Sequence, residues 1–177
     1  EGGLSGAYIP MAAERANLIL KENYGISATL KRFETEKDDT FRVTTAMGQK
    51  YVLKVANPEE SLEEIDFQHS ILSYVKSRDP TVPIPHAINC AAGPDIFHIT
   101  DIDGSLRYVR MLSYLDGVPL DKTNSNPHER FQIGKVLARL RHATEGFSHI
   151  AENRYCAWDV QHPVSYTHLR AHETNVD

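Results

Sequence analysis

The sequence predicts an α+β fold: a five-stranded antiparallel sheet with one packed helix, followed by the start of a helical region. Three observations carry that prediction. Short runs of period two recur between turn residues. A strongly signposted helix interrupts them after the third run, and a later stretch repeats at helical spacing.

Residues 1–10 are small and polar and read as a linker or tail. From Met11 to Asn23, Ala12, Ala16 and Ile19 recur at helical spacing, and Gly25 is a natural stop. Ala28 to Phe33 reads as a strand, and Glu34 to Asp39 as a polar loop. Phe41, Val43 and Thr45 alternate, Met47-Gly48-Gln49 makes a turn, and Tyr51, Leu53 and Val55 alternate again. The following helix is expected to begin at Asn57 as cap, with Pro58 in first position and Glu60 closing a capping box. Glu59, Glu60, Glu63 and Glu64 complement the positive end of its dipole. Its stripe is Leu62, Ile65, His69 and Leu72, and it should run to about Lys76. A loop with Pro80, Pro83 and Pro85 follows, then strands near Phe97–Thr100 and Arg107–Leu112 around the turn Asp101-Ile102-Asp103-Gly104. Ser113 to Leu120 is extended, and a helix from Glu129 to about Thr144 carries Ile133, Leu137 and Leu140.

Composition narrows the function classes. The chain has 177 residues, is 41% hydrophobic and 24% charged, and carries a net charge of -5. A domain of this size can bury about 70% of its unfolded surface. The mild acidity argues against a nucleic-acid partner, whose phosphates call for a basic face. No apolar run approaches the ~20 residues that span a bilayer, so no membrane partner is expected. No basic segment leads into an apolar one as in a signal peptide, although the sequence starts with Glu1. Cys90 and Cys156 are far apart and read as buried thiols of a reducing compartment, consistent with a cytoplasmic protein.

The order of three strands, a helix, two strands, a linker and a helix is that of a protein-kinase-like small lobe. Tyr51-Val52-Leu53-Lys54 stands where kinase-like folds have their strand-three lysine. Ser113-Tyr114-Leu115-Asp116-Gly117 resembles the hinge of aminoglycoside phosphotransferases. Leu137-Ala138-Arg139-Leu140, followed by Gly146-Phe147-Ser148-His149, is similar to the first large-lobe helix there. The chain thus resembles the aminoglycoside phosphotransferase and choline kinase family over about residues 14–160. The run Thr35 to Val43 looks most like the hydroxylysine kinase branch, which includes phosphotransferase domains fused to aminotransferases. The resemblance divides the chain into a tail (1–10), a nucleotide-binding small lobe (11–112), a hinge (113–127), the first part of a helical large lobe (128–162) and a non-native tail (163–177). That last segment resembles a translated sequencing-adapter remnant.

Strand alternation puts Val52 and Lys54 on one face. The resemblance implies that Val52 lies over the purine of ATP (or GTP) while Lys54 reaches its phosphates. The alternative is an edge lysine whose head reaches solvent. In the family a helix glutamate partners the lysine, but here that register falls on Gln68. Glu64, one turn earlier, is the candidate substitute, or else a solvated first-turn carboxylate. The loop Glu34 to Thr40 contains no glycine, so backbone cradling of phosphates is not expected. Lys37 and the Thr40 hydroxyl are the candidates there, against ordinary hairpin solvation for Lys37. The resemblance places the base against backbone groups of Ser113 and Leu115, with Gly117 turning the chain onward; the plain reading is an interdomain connector.

Asp101 and Asp103 read as turn residues rather than metal ligands. His168 and His172 have zinc-helix spacing without a third ligand. No histidine begins a His-x-Asp sequence, so the catalytic aspartate and the magnesium ligands are expected beyond the Trp158-Asp159 region. The implied function is phosphoryl transfer from ATP to a hydroxyl on a small amine or amino acid, with magnesium, the chain alone being inactive. The alternative is a non-catalytic nucleotide-binding or regulatory module that keeps the small-lobe fold.

Overall fold

A computed structural model describes residues 8–153 except 36 and 92. The expectations for Cys156, Trp158-Asp159, His168, His172 and the segment 163–177 lie outside the described residues, as does most of the N-terminal tail.

The elements follow the expected order. They are α1 (Ala13–Tyr24), β1 (Ala28–Arg32), β2 (Asp39–Thr45), β3 (Lys50–Val55), α2 (Leu62–Arg78), β4 (Phe97–Thr100), β5 (Leu106–Ser113) and α3 (Pro127–Thr144), with a short 3-10 turn at Leu120–Lys122. The five strands form one antiparallel sheet in the order β1-β2-β3-β5-β4. Gly25 ends α1 at φ 66°, a left-handed conformation that favours glycine, and its N–H donates to the Leu20 carbonyl.

Alternation along the strands gives the sheet two unlike faces. Phe41, Val43, Leu53, Val55, Val109 and Met111 point one way and pack against Ala16, Ile19, Leu20 and Tyr24 of α1. Burying side chains of this kind contributes about 1.5–3 kcal/mol each, so this layer dominates the stability. The ladder pairs Thr40 with Lys54 and Lys54 with Arg110, so these polar side chains share the opposite face, toward α2. A second, smaller core joins Val75, Val82 and Ala143, with Ile71, Ile84 and Leu140 against it. It ties α2 and the proline loop to α3, and Arg139 clamps Asp79 at the end of α2 through bonds of 2.7–2.9 Å.

Three local expectations need correction. First, α2 starts at Leu62, not beside Asn57: its capping box is Ser61 with Glu64. Both Asn57-Pro58-Glu59-Glu60 and Ser61-Leu62-Glu63-Glu64 fit the box pattern. The first instead folds as a turn, Asn57 Oδ1 accepting from Glu59 N at 2.9 Å, which frees the Glu60 carboxylate to face inward. Second, Leu62, now in the first turn, is exposed, and the buried stripe of α2 is carried by Ile65 and Val75. Third, α3 presents Leu140 and Ala143 inward, while Leu137 is 60% exposed and Phe131 63%. No helix among the described residues is long and apolar enough to cross a membrane.

Candidate functional site

The α2-facing side of the sheet gathers a cluster of charged groups around the end of β3. Lys54 Nζ lies 2.8 Å from Asp38 Oδ2, with 26% of the lysine side chain and 11% of the aspartate side chain exposed. The Thr40 hydroxyl donates to the other oxygen of Asp38 at 2.8 Å. Glu60, whose side chain is 5% exposed, accepts from Gln68 Nε2 at 3.0 Å and from Lys37 Nζ at 3.3 Å. Arg110 reaches from β5 to the Gln68 side-chain oxygen and to the Ile65 carbonyl, the latter at 3.3 Å. Burial lowers the Arg110 pKa below the usual arginine value, and the Glu60 and Asp38 charges oppose that shift. A small recess with about 10 Å³ of room for water lies among Asp38, Lys54, Ala56, Glu60, Ile65, Tyr108 and Arg110.

Not all of the residues expected at the site converge. Lys54 and Gln68 lie in this network, Lys37 reaches it from the β1–β2 loop, and Thr40 supports it from β2. Glu64 does not partner Lys54: its carboxylate accepts from Ser61 N at 3.3 Å in the capping box. Burying an amine without a counter-charge is costly, and the anion that meets it comes from the β1–β2 loop rather than from α2. Val52 stands on the same face as Lys54, between Arg42 and Leu112 in the ladder. At the hinge, Ser113 is held by residue 86: its N–H donates to the His86 carbonyl at 2.8 Å, and its Oγ accepts from His86 N at 3.0 Å. Leu115 follows beyond the ladder and is 46% exposed. Lys50 pairs with Asp116 and sits 5.6 Å from the Tyr114 ring centre, which fixes the hinge to β3. The small recess at Lys54 is lined by none of the hinge residues. Ser113 pairs with Tyr51 and Arg110 with Lys54, so about 10 Å of strand separates the two ends of the candidate site.

Three members of the cluster escaped the sequence reading: Asp38, Glu60 and Arg110. Asp38 lay inside a stretch read as a polar loop in which Lys37 and Thr40 were the candidates, and Glu60 was assigned to a cap. The available signal was arginine in a strand expected to be half-buried, since a buried guanidinium requires acceptors.

The turn reading of Asp103 holds, its carboxylate accepting from Ser105 N at 2.9 Å and from the Ser105 hydroxyl at 2.6 Å. Asp101 does more than turn the chain: with Asp39 it holds Arg107, at 2.9 and 2.8 Å, in a sealed cluster on the α1 face. Among the described residues no group of three or more His, Cys, Asp or Glu side chains is arranged to hold a metal ion.

The sequence pattern of the phosphotransferase enzyme family APH matches residues 29–172. Mouse hydroxylysine kinase is 28% identical over 150 residues, covering 76% of this chain and 39% of that protein. The zebrafish (Danio rerio) hydroxylysine kinase is 28% identical over 129 residues, covering 69% of this chain and 36% of that protein. The chain therefore spans well under half the length of these relatives. Among solved structures, amicoumacin kinase in complex with AMP-PNP, Ca2+ and Ami superposes with a TM-score of 0.68 at 14% identity, covering 94% of this chain and 55% of that one. A microcompartment-associated aminopropanol kinase gives 0.61 at 19% identity, covering 85% and 46%. These likenesses establish the protein-kinase-like fold that the element order predicted. With the family pattern covering most of its length, the chain belongs to the APH phosphotransferase enzyme family.

Proposed function

We propose that this chain forms the nucleotide-binding part of an ATP-dependent small-molecule kinase that phosphorylates a hydroxyl on a small amine or amino acid. The observation that carries the reading is the Lys54 amine. It is anchored on one side by a buried carboxylate and still partly open on the other. An ammonium has three donors, so one bond to Asp38 leaves two for phosphate oxygens. Charge-assisted bonds of that kind are the strong ones. Val52, on the same face, offers an apolar surface for the purine, and the base edge falls at Leu115, since the Ser113 N–H is already bonded to His86. Lys37, with half of its side chain exposed, is the loop cation nearest to entering phosphate.

Phosphoryl transfer needs little covalent chemistry from the protein; positioning and charge stabilisation are the main tasks. Magnesium supplies further charge neutralisation in such reactions. The described residues offer it no cluster, and no step through it is assigned to them. The hydroxyl acceptor is inferred from the relatives' names: hydroxylysine and aminopropanol each join an amine to a hydroxyl.

Titration calorimetry with AMP-PNP tests the nucleotide part. Lys54→Ala is expected to weaken binding by about tenfold or more, the worth of a charged hydrogen bond. Equal affinities for the two proteins would remove Lys54 from the site. Assaying the whole protein for ATP consumption with amino alcohols and hydroxylated amino acids tests the acceptor class.

A further inference from the structure

We infer that Asp38, from the loop between β1 and β2, is the carboxylate that positions Lys54 for phosphate, in place of any acid on α2. The inference rests on the nucleotide reading of Lys54 above.

The helix has no anion to offer at this point. Gln68 stands where a helix carboxylate is expected, and its amide is engaged at both ends, donating to Glu60 and accepting from Arg110. Glu64 is held in the capping box. Glu60 faces inward but neutralises Lys37 and supports Gln68. Asp38 alone among these acids has an oxygen within 3 Å of the Lys54 amine.

Asp38 has the marks of a fixed anchor rather than of an anion holding the phosphate's seat. Its second oxygen is held by Thr40, which belongs to β2 and is itself buried. Its backbone carbonyl accepts from the Thr35 hydroxyl, which shapes the loop around it. The aspartate side chain is the more buried of the pair, at 11% against 26% for the lysine, so solvent and any incoming anion meet Lys54 first. Phosphate can approach the lysine without displacing the carboxylate. Because Asp38 sits in the loop, the loop's closed shape and the aim of Lys54 become one event. Positioning that most kinase-like folds assign to helix movement is here assigned to the loop.

The test is a double-mutant cycle read as the AMP-PNP dissociation constant, with unfolding midpoints recorded for each protein. Asp38→Asn is expected to weaken binding about tenfold when Lys54 is present, and by less than twofold in the Lys54→Met background. Thr40→Val keeps the charge but releases the carboxylate's second oxygen, and should weaken binding about threefold. It keeps the test decisive if Asp38→Asn does not fold. Tighter binding by Asp38→Asn would overturn the inference, because the carboxylate would then be a competitor of phosphate. Equal losses in both backgrounds would also overturn it, as would a tenfold loss from Glu64→Ala. If Lys54→Met itself leaves the affinity unchanged, the nucleotide reading of Lys54 fails first, and that result is distinct from a loss confined to Lys54→Met.

Discussion

Asp38 and Asp39 are neighbours in sequence and opposites in structure. Asp39 points to the α1 face, is fully buried, and accepts from Arg107, Arg32 and the Met11 backbone N–H. Arg107 is equally sealed, 1% exposed, and also donates to Asp101 and to the Ala56 carbonyl. Asp38 points to the α2 face, where its lysine partner keeps a quarter of its side-chain surface. The first pair is saturated by protein groups, whereas the second leaves donors on Lys54. A saturated ion cluster can only hold a fold together; an unsaturated one has something to offer a ligand.

The sharpest way to break the comparison is Asp39→Ala. It leaves Arg107 with Asp101 as its one remaining carboxylate partner in a closed site and should cost about 3 kcal/mol, seen as a large drop in unfolding midpoint. A loss below 1 kcal/mol would mean that the cluster is open to water. Asp38→Asn should cost only about 1 kcal/mol in urea unfolding, since Lys54 can turn to solvent. Ser61→Ala is expected to cost a similar ~1 kcal/mol by uncapping α2. It sharpens the contrast: loosening the first turn of α2 should leave nucleotide affinity nearly unchanged if the loop, not the helix, aims Lys54. Lys54→Ala leaves the buried Asp38 carboxylate with Thr40 as its side-chain partner and should cost about 1–3 kcal/mol, while changing nucleotide affinity most.

A third aspartate supplies a pH test. Hydrogen bonds from Arg139 and then from Thr81 hold the Asp79 carboxyl down to about 2, below its ordinary 3.8. A depressed carboxylate favours the folded state above its ordinary pKa and loses that contribution as pH falls toward the depressed one. The α2–α3 junction should therefore weaken between about pH 4 and pH 2, and Asp79→Asn should flatten that part of the stability profile. An unchanged profile would show that the Asp79–Arg139 clamp does not persist in solution.

Much of the sheet was legible because alternation is a local rule: Phe41, Leu53 and Val55 had to share a face, and Val52 and Lys54 the other. The kinase-like order followed from those runs and from α2. The start of α2 was misread because two consecutive stretches, 57–60 and 61–64, satisfy the same capping pattern. Only packing, which turned Glu60 toward Arg110 and Gln68, separated them. Ile133, Leu137 and Leu140 were assigned to one stripe; Leu140 does face α2, but Leu137 is exposed and the inward face continues through Ala143.

Arg107 and Arg110 show where local reasoning stops. Three residues apart on one strand, they must face opposite sides of the sheet, and that much is readable from spacing alone. Which groups meet them is not, because Asp39 and Asp101 reach Arg107, and Gln68 reaches Arg110, from separate parts of the chain. The sequence by itself determined the strands, their two faces and the side on which Lys54 emerges, since covalent alternation dictates these. Tertiary structure chose the partner of Lys54, because pairing between charges depends on distances set by loop closure and on which groups are cut off from water.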